Sequence, residues 1–121
     1  MQGLHLCADL IGCSQGPWLT DGAVLRDLCR RCVSEAGLQA VSECFHAFEP
    51  AGSGVTGVVL LAESHLAVHT WPEQQAVTVD VYVCNFSADN RAKAHAVLEQ
   101  LQAVFAPQVA RVQAVERGTI A

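Results

Sequence analysis

Little of this sequence is charged. Of its 121 residues 16% are Asp, Glu, Lys or Arg, and Lys and Arg together number 7 against 12 acidic residues. Phosphate backbones are held by clustered cations. These seven are spread along the chain under a net charge of −5, so no nucleic-acid partner is expected, and a cationic ligand is mildly favoured. A basic n-region is also missing. The opening MQGLHLCADLIGC carries a His and an Asp and does not read as a signal peptide. No apolar run approaches the length of a membrane span, so no membrane partner is expected. The reading is cytoplasmic, where the six cysteines stay reduced. A second C-x-x-C pair is absent, so Cys29 and Cys32 do not complete a zinc site and read as buried thiols of a helix. Repeats, low-complexity tracts and long linkers are lacking as well.

What is present is apolar. The composition is 51% hydrophobic, which fits one compact domain and excludes disorder. A mean hydropathy of +0.28 in so short a chain points to a second surface buried in an oligomer. Residues 5–11 read as a strand. Thr20 or Asp21 can cap a helix to about Ala36, with Leu25, Leu28, Cys29, Cys32, Val33 and Ala36 on one stripe and Gly37 stopping it. Strands are expected at 38–48, 55–62 and 65–71, the last ended by Pro72 or placed by it at a sheet edge. Residues 76–84 alternate strictly, with Val77, Val79, Val81 and Val83 on one face and Thr78, Asp80, Tyr82 and Cys84 on the other. Ser87 or Asp89 is expected to cap a second helix, with Ala94, Val97, Leu98, Leu101, Val104 and Phe105 inward and Pro107 halting it, before a last strand at 109–116.

Two helices cover one face of such a sheet. The fold class is therefore α+β: a two-layer sandwich with an antiparallel-rich sheet and both helices on one side. The valine face of 76–84 belongs under the helices. The opposite face, with Asp80, Tyr82, Cys84 and the alternating His65, His69 and Trp71, suits a partner subunit or a ligand.

The segment LLAESHLAVHTWPE, residues 60–73, concentrates the polar chemistry. It is no hydrolase elbow, because Ser64 lacks flanking glycines. A triad of Ser64, His69 and Asp80 requires a turn, since Ser64 and His69 have opposite parity on a strand. A zinc site from His65, His69 and Cys84 has no spacing motif behind it. Otherwise Glu63-Ser64-His65 is a tight turn between antiparallel strands with half-buried histidines, and spacing leaves these alternatives open.

Residues 54–85 resemble the prokaryotic class of S-adenosylmethionine decarboxylase, a pyruvoyl-dependent family of polyamine synthesis. Its hallmark block E-S-H-x-x-x-H-T-W-P-E, followed by a strand aspartate and cysteine, is met by Glu63, Ser64, His65, His69, Thr70, Trp71, Pro72, Glu73, Asp80 and Cys84. FHAFEP at 45–50 and GLHLCADLIGC at 3–13 are similar to further family motifs. The likeness runs in order from the N-terminus to about Phe105, with the loop at 49–57 one residue longer than usual.

The resemblance implies a proenzyme that cuts itself between Glu63 and Ser64 into 1–63 and 64–121. The Ser64 hydroxyl attacks the preceding carbonyl, and elimination leaves a pyruvoyl group that forms a Schiff base with the substrate amine. Decarboxylation of an α-amino acid needs such an electron sink, and neither pyridoxal phosphate nor a metal is expected. It further implies that His69 transfers the proton in processing and that Cys84 protonates the substrate carbon. Thr56 stands where the family has a serine that supports processing. Phe48 and Trp71 sandwich the adenine, Glu73 binds the ribose, and processed protomers pair as a homodimer with sites at the interface. The expected reaction turns S-adenosylmethionine into S-adenosylmethioninamine and carbon dioxide for spermidine synthesis. Two alternatives are a pyruvoyl decarboxylase of ornithine or arginine and a non-catalytic regulatory homologue. Phe48, Trp71 and Glu73 favour the nucleoside over the first, and retention of Ser64, His69 and Cys84 speaks against the second.

Overall fold

The structure is a computed structural model and describes residues 1–86 and 88–118. Among the described residues the strands are β1 (Gln2–Ile11), β2 (Ala40–Ala47), β3 (Val55–Leu61), β4 (Ser64–Trp71), β5 (Ala76–Cys84) and β6 (Val109–Gly118). The helices are α1 (Gly22–Glu35) and α2 (Arg91–Phe105), with single 3-10 turns at Pro17–Leu19 and Pro72–Gln74. The strands form one sheet in the order β2-β3-β4-β5-β1-β6, and every neighbouring pair is antiparallel. This is the expected two-layer α+β arrangement. None of these helices is long and apolar enough to cross a membrane.

Alternation decides which face is covered. Leu6, Leu10, Val59, Leu66, Val68, Val77, Val79, Val81 and Val83 are buried in one core with Leu25, Cys29, Val33, Val97, Leu101 and Phe105 of the helices. The valine face of β5 thus lies under the helices, as its period requires. Cys29 and Cys32 are free, buried thiols on that helical stripe. Phe45 reaches over Gly57 of the neighbouring strand, where any Cβ would overlap its ring.

Of the two candidate caps for α1 the structure uses Asp21, which accepts from the amides of Ala23 and Val24. The helix stops in a Schellman turn, with Gly37 at φ 84 and the Leu38 amide donating to the Val33 carbonyl. At α2, Ser87 lies outside the described residues. Asp89 Oδ1 accepts from the Arg91 amide at 3.1 Å, while Asn90 holds the N-cap position without a capping side chain. Pro72 ends β4 rather than marking a sheet edge, because β4 lies between β3 and β5.

Candidate functional site

Strands β3 and β4 are joined by the two-residue connection Ala62–Glu63, and Leu61 pairs with Ser64 across it. Glu63 closes this turn in the left-handed region at φ 63. That conformation costs a non-glycine residue about 1–2 kcal/mol, and strain of this kind gathers at functional positions. Ser64 starts β4, and its Oγ accepts from the backbone N–H of Cys84 at 3.1 Å. Cys84, at the end of β5, is 8% exposed. Its carbonyl accepts from Asn90 Nδ2 at 2.8 Å, and the Asn90 amide donates to Asn85 Oδ1 at 2.8 Å, so the start of α2 fixes the Cys84 backbone. A cleft of about 580 Å³ beside Ser64 is lined by Leu60, His65, Tyr82 and Arg117 among others.

A second cluster sits at the opposite end of the same strands. Thr56 of β3 and His69 of β4 are register partners, and Thr56 Oγ1 meets His69 Nδ1 at 3.0 Å. Trp71 is 44% exposed at the end of β4 and Phe48 is 47% exposed just past β2, its ring 4.8 Å from that of His46. Gly54 ties the Phe48 loop to this end: its carbonyl accepts from the Phe48 amide, and a Cβ there would stand 2.6 Å from the Thr70 carbonyl oxygen. Glu73 is exposed in the 3-10 turn that follows. Thr56, His69, Phe48, Trp71 and Glu73 therefore share one end, and Ser64 and Cys84 the other. Five residues of strand separate Ser64 from His69, about 17 Å at 3.4 Å per residue. A single chain does not bring the two groups together.

The triad and the zinc site weighed from spacing both fail. His69 is bonded to Thr56, and Asp80 Oδ1 lies 3.2 Å from His5 Nε2, so neither serves Ser64. His65 and His69 stand four strand residues apart, about 14 Å, too far to share one ion with Cys84. The tight turn at Glu63 is real, and His65 beside it and His69 at the far end of β4 are half-buried.

Two features escaped the sequence reading. Thr70 is buried on the core face, its Oγ1 accepting from the Val55 amide at 2.8 Å and donating to the Leu19 carbonyl at 2.7 Å. The only signal for it was a hydroxyl at a core-facing position of an alternating strand. The open face also gathers His5, Cys7, Asp80, His65, Tyr82 and Arg117, with the Arg117 guanidinium 5.7 Å over the Tyr82 ring and the His65 and Tyr82 rings 5.7 Å apart. Desolvation, reinforced by Asp80, holds the Cys7 thiol above its usual pKa.

Known proteins share this architecture. The family described as S-adenosylmethionine decarboxylase matches residues 4–118. The chain is 37% identical over 118 residues to the S-adenosylmethionine decarboxylase proenzyme of Persephonella marina, covering 98% of this chain and 84% of that protein. Likeness to the proenzyme of Aquifex aeolicus is again 37% over 118 residues, covering 98% and 82%. The crystal structure of the adenosylmethionine decarboxylase from Aquifex aeolicus VF5 superposes with a TM-score of 0.87 at 36% identity, covering 98% of this chain and 92% of that one.

Proposed function

Because the chain belongs to the S-adenosylmethionine decarboxylase family, we propose that it decarboxylates S-adenosylmethionine to S-adenosylmethioninamine for spermidine synthesis. The proposal includes prior self-cleavage at Glu63–Ser64 into 1–63 and 64–121. One observation carries it: the residue before Ser64 is forced into the left-handed region while the Ser64 hydroxyl is held at the turn by the Cys84 amide. Ser64 Oγ adds to the Glu63 carbonyl carbon, the peptide C–N bond breaks, and the freed nitrogen takes the hydroxyl proton. The ester links Glu63 to residue 64 through Oγ, a longer connection than the peptide bond that relieves the strained turn and favours the exchange.

Elimination then breaks the Cβ–Oγ bond and frees the Glu63 carboxylate. The terminal enamine left behind tautomerises to an imine that takes up water and releases ammonia to give the pyruvoyl group. The elimination requires a base for the Ser64 α-proton. In the tautomer whose Nδ1–H donates to Thr56 Oγ1, 3.0 Å away, His69 keeps its Nε2 lone pair free for that proton. The 17 Å between them is bridged by a second copy of the chain. Two open faces packed with opposed strands, about 10 Å apart, bring His69 of one copy opposite Ser64 of the other. The same pairing seats Phe48, Trp71 and Glu73 of one copy beside Ser64 and Cys84 of its mate. That geometry supports a homodimer whose sites are each built from both copies.

The residues fit a pyruvoyl group. It is made from residue 64 itself, at the mouth of a cleft, and needs no anchoring lysine or phosphate cradle. Such a carbonyl supplies the electron sink that loss of carbon dioxide demands. The contact of the Cys84 backbone amide with Ser64 Oγ supports the Cys84 thiol as the group that delivers a proton to the substrate carbon. Half-exposed Phe48 and Trp71 offer faces for an adenine and its cationic sulfonium neighbour, and the Glu73 carboxylate can accept from the ribose hydroxyls.

Denaturing electrophoresis and mass spectrometry test the cleavage. The chain is expected as two fragments divided before residue 64, and the Ser64→Ala variant as one; a wild-type chain that stays whole refutes the reading. Carbon dioxide release should occur from S-adenosylmethionine and not from ornithine or arginine assayed beside it.

A further inference from the structure

Strand β1 carries His5 and Cys7 two residues apart on the open face, and the register sets Cys7 opposite Asp80 of β5. Their donor atoms converge. His5 Nε2 is 3.2 Å from Asp80 Oδ1 and 3.5 Å from Cys7 Sγ, and all three ligand atoms lie within 4.8 Å of one another. A tetrahedral zinc ion with bonds of about 2.0 Å to nitrogen and oxygen and 2.3 Å to sulfur has edges of about 3.3 Å (N to O) and 3.5 Å (N to S). The His5–Asp80 and His5–Cys7 spacings match those edges, and Cys7 Sγ and Asp80 lie within 4.8 Å, in a half-buried setting on paired strands. The set is unlike an acidic surface cluster, since it offers one sulfur, one nitrogen and one oxygen. That mixture selects zinc-type dications over magnesium or calcium.

We propose that His5, Cys7 and Asp80 bind one zinc-type dication, with the fourth coordination position turned to the open face, where a water held between the two packed copies completes it. On binding, the Cys7 thiol proton is lost to solvent and the sulfur coordinates as thiolate. The site stands about three strand residues, some 10 Å, from Ser64 along the sheet and rests on neither the cleavage nor the decarboxylation.

Arg117 opposes it. Its Nη1 lies 3.4 Å from His5 Nδ1, whereas a histidine ligated through Nε2 carries its proton on Nδ1 and needs an acceptor there. The guanidinium already touches the Tyr82 ring, and that contact is where it moves when His5 turns to a metal. Arg117→Gln replaces an obligatory donor by a side chain able to accept, so this substitution is expected to tighten binding about tenfold.

The test uses the full chain, as purified and as the uncut Ser64→Ala variant, stripped with chelator under reducing conditions and reloaded. One equivalent of zinc per chain is expected by elemental analysis in both forms. Cobalt(II) should give a thiolate-to-metal charge-transfer band that Cys7→Ser and His5→Gln abolish and that Cys44→Ser, which removes the exposed thiol, leaves in place. Circular dichroism checks that the variants keep the fold. Absence of stoichiometric metal overturns the proposal. So does a band that survives Cys7→Ser or vanishes with Cys44→Ser, or an Arg117→Gln affinity no tighter than that of the parent chain.

Discussion

Replacing Thr70 by valine exchanges a hydroxyl for a methyl of almost equal size, so the core keeps its volume and loses only polarity. Two buried backbone groups then lose their partner. The Val55 amide donates to Thr70 Oγ1 at 2.8 Å, and the Leu19 carbonyl accepts from it at 2.7 Å, at a side chain 4% exposed. A buried donor or acceptor left unmet costs about 1–3 kcal/mol. The pair together should cost about 2–6 kcal/mol, against a whole-fold stability of about 5–15 kcal/mol for a domain. In a chain of this length that is a fall in Tm on the order of 10 °C. Urea unfolding followed by circular dichroism measures it best in the Ser64→Ala background, where cleavage cannot blur the transition, and the m-value should not change. Thr70→Ser is the control: it keeps both hydrogen bonds, sheds one methyl, and should lose about 1 kcal/mol. A Thr70→Val chain within about 0.5 kcal/mol of its parent, the range of ordinary surface changes, would refute the account of Thr70 as the clamp between the Leu19 turn and β3.

Glu63→Gly removes a left-handed cost of about 1–2 kcal/mol and adds a glycine entropy cost of about 0.5–1 kcal/mol. The uncut Ser64→Ala background should therefore gain about 0.5–1 kcal/mol in urea unfolding, and in the cleaving chain processing should slow about fivefold as strain of that order is relieved; equal cleavage rates would count against strain at the turn. Thr56→Val should slow appearance of the fragments on gels about tenfold by freeing the His69 ring, whereas Thr56→Ser should cleave at nearly the parental rate. Burial pushes the Cys29 and Cys32 thiols up, Cys32 from 9.0 to about 11. The folded chain thus holds these protons more tightly than the unfolded one. The contribution of Cys32 is complete below about pH 9 and is lost as pH rises through about 11, amounting to about 3 kcal/mol, and that of Cys29, pushed up further, is lost at higher pH still. Urea midpoints from pH 8 to 11 should fall less steeply in Cys32→Ala than in the parent, and parallel curves would contradict this.

Alternation and helical stripes made most elements legible, because burial on one face writes a period into each segment taken alone. The valine face of β5 and the inward stripe of α1 were readable in this way, while the choice of Asp21 over Thr20 as the cap was not. Register is not a property of one segment. Nothing in the residues near His5 announces Asp80, 75 positions away, and the contact of Thr56 with His69 exists only through the offset of β3 against β4. The α2 cap was obscured for a related reason: Asn90 turns its amide to the Cys84 carbonyl instead of to its own helix. The hallmark block named the candidate site residues, but its compactness in sequence concealed that an extended strand holds Ser64 and His69 at opposite ends.

The position of β1 has a consequence for any chain broken between Glu63 and Ser64. Residues before the break supply β1, α1, β2 and β3, and those after it supply β4, β5, α2 and β6. Yet β1 lies between β5 and β6, while β3 lies against β4. The two pieces therefore interlock, and neither owns a continuous sheet. Losing the peptide bond costs the native assembly almost nothing, since the ladders that hold the pieces cross the break on both sides. Recovery from denaturation is altered far more: the intact chain refolds alone, whereas the severed one must first find its complement, at a rate that scales with concentration. Such a protein is a single molecule while it folds and a locked pair of molecules afterwards.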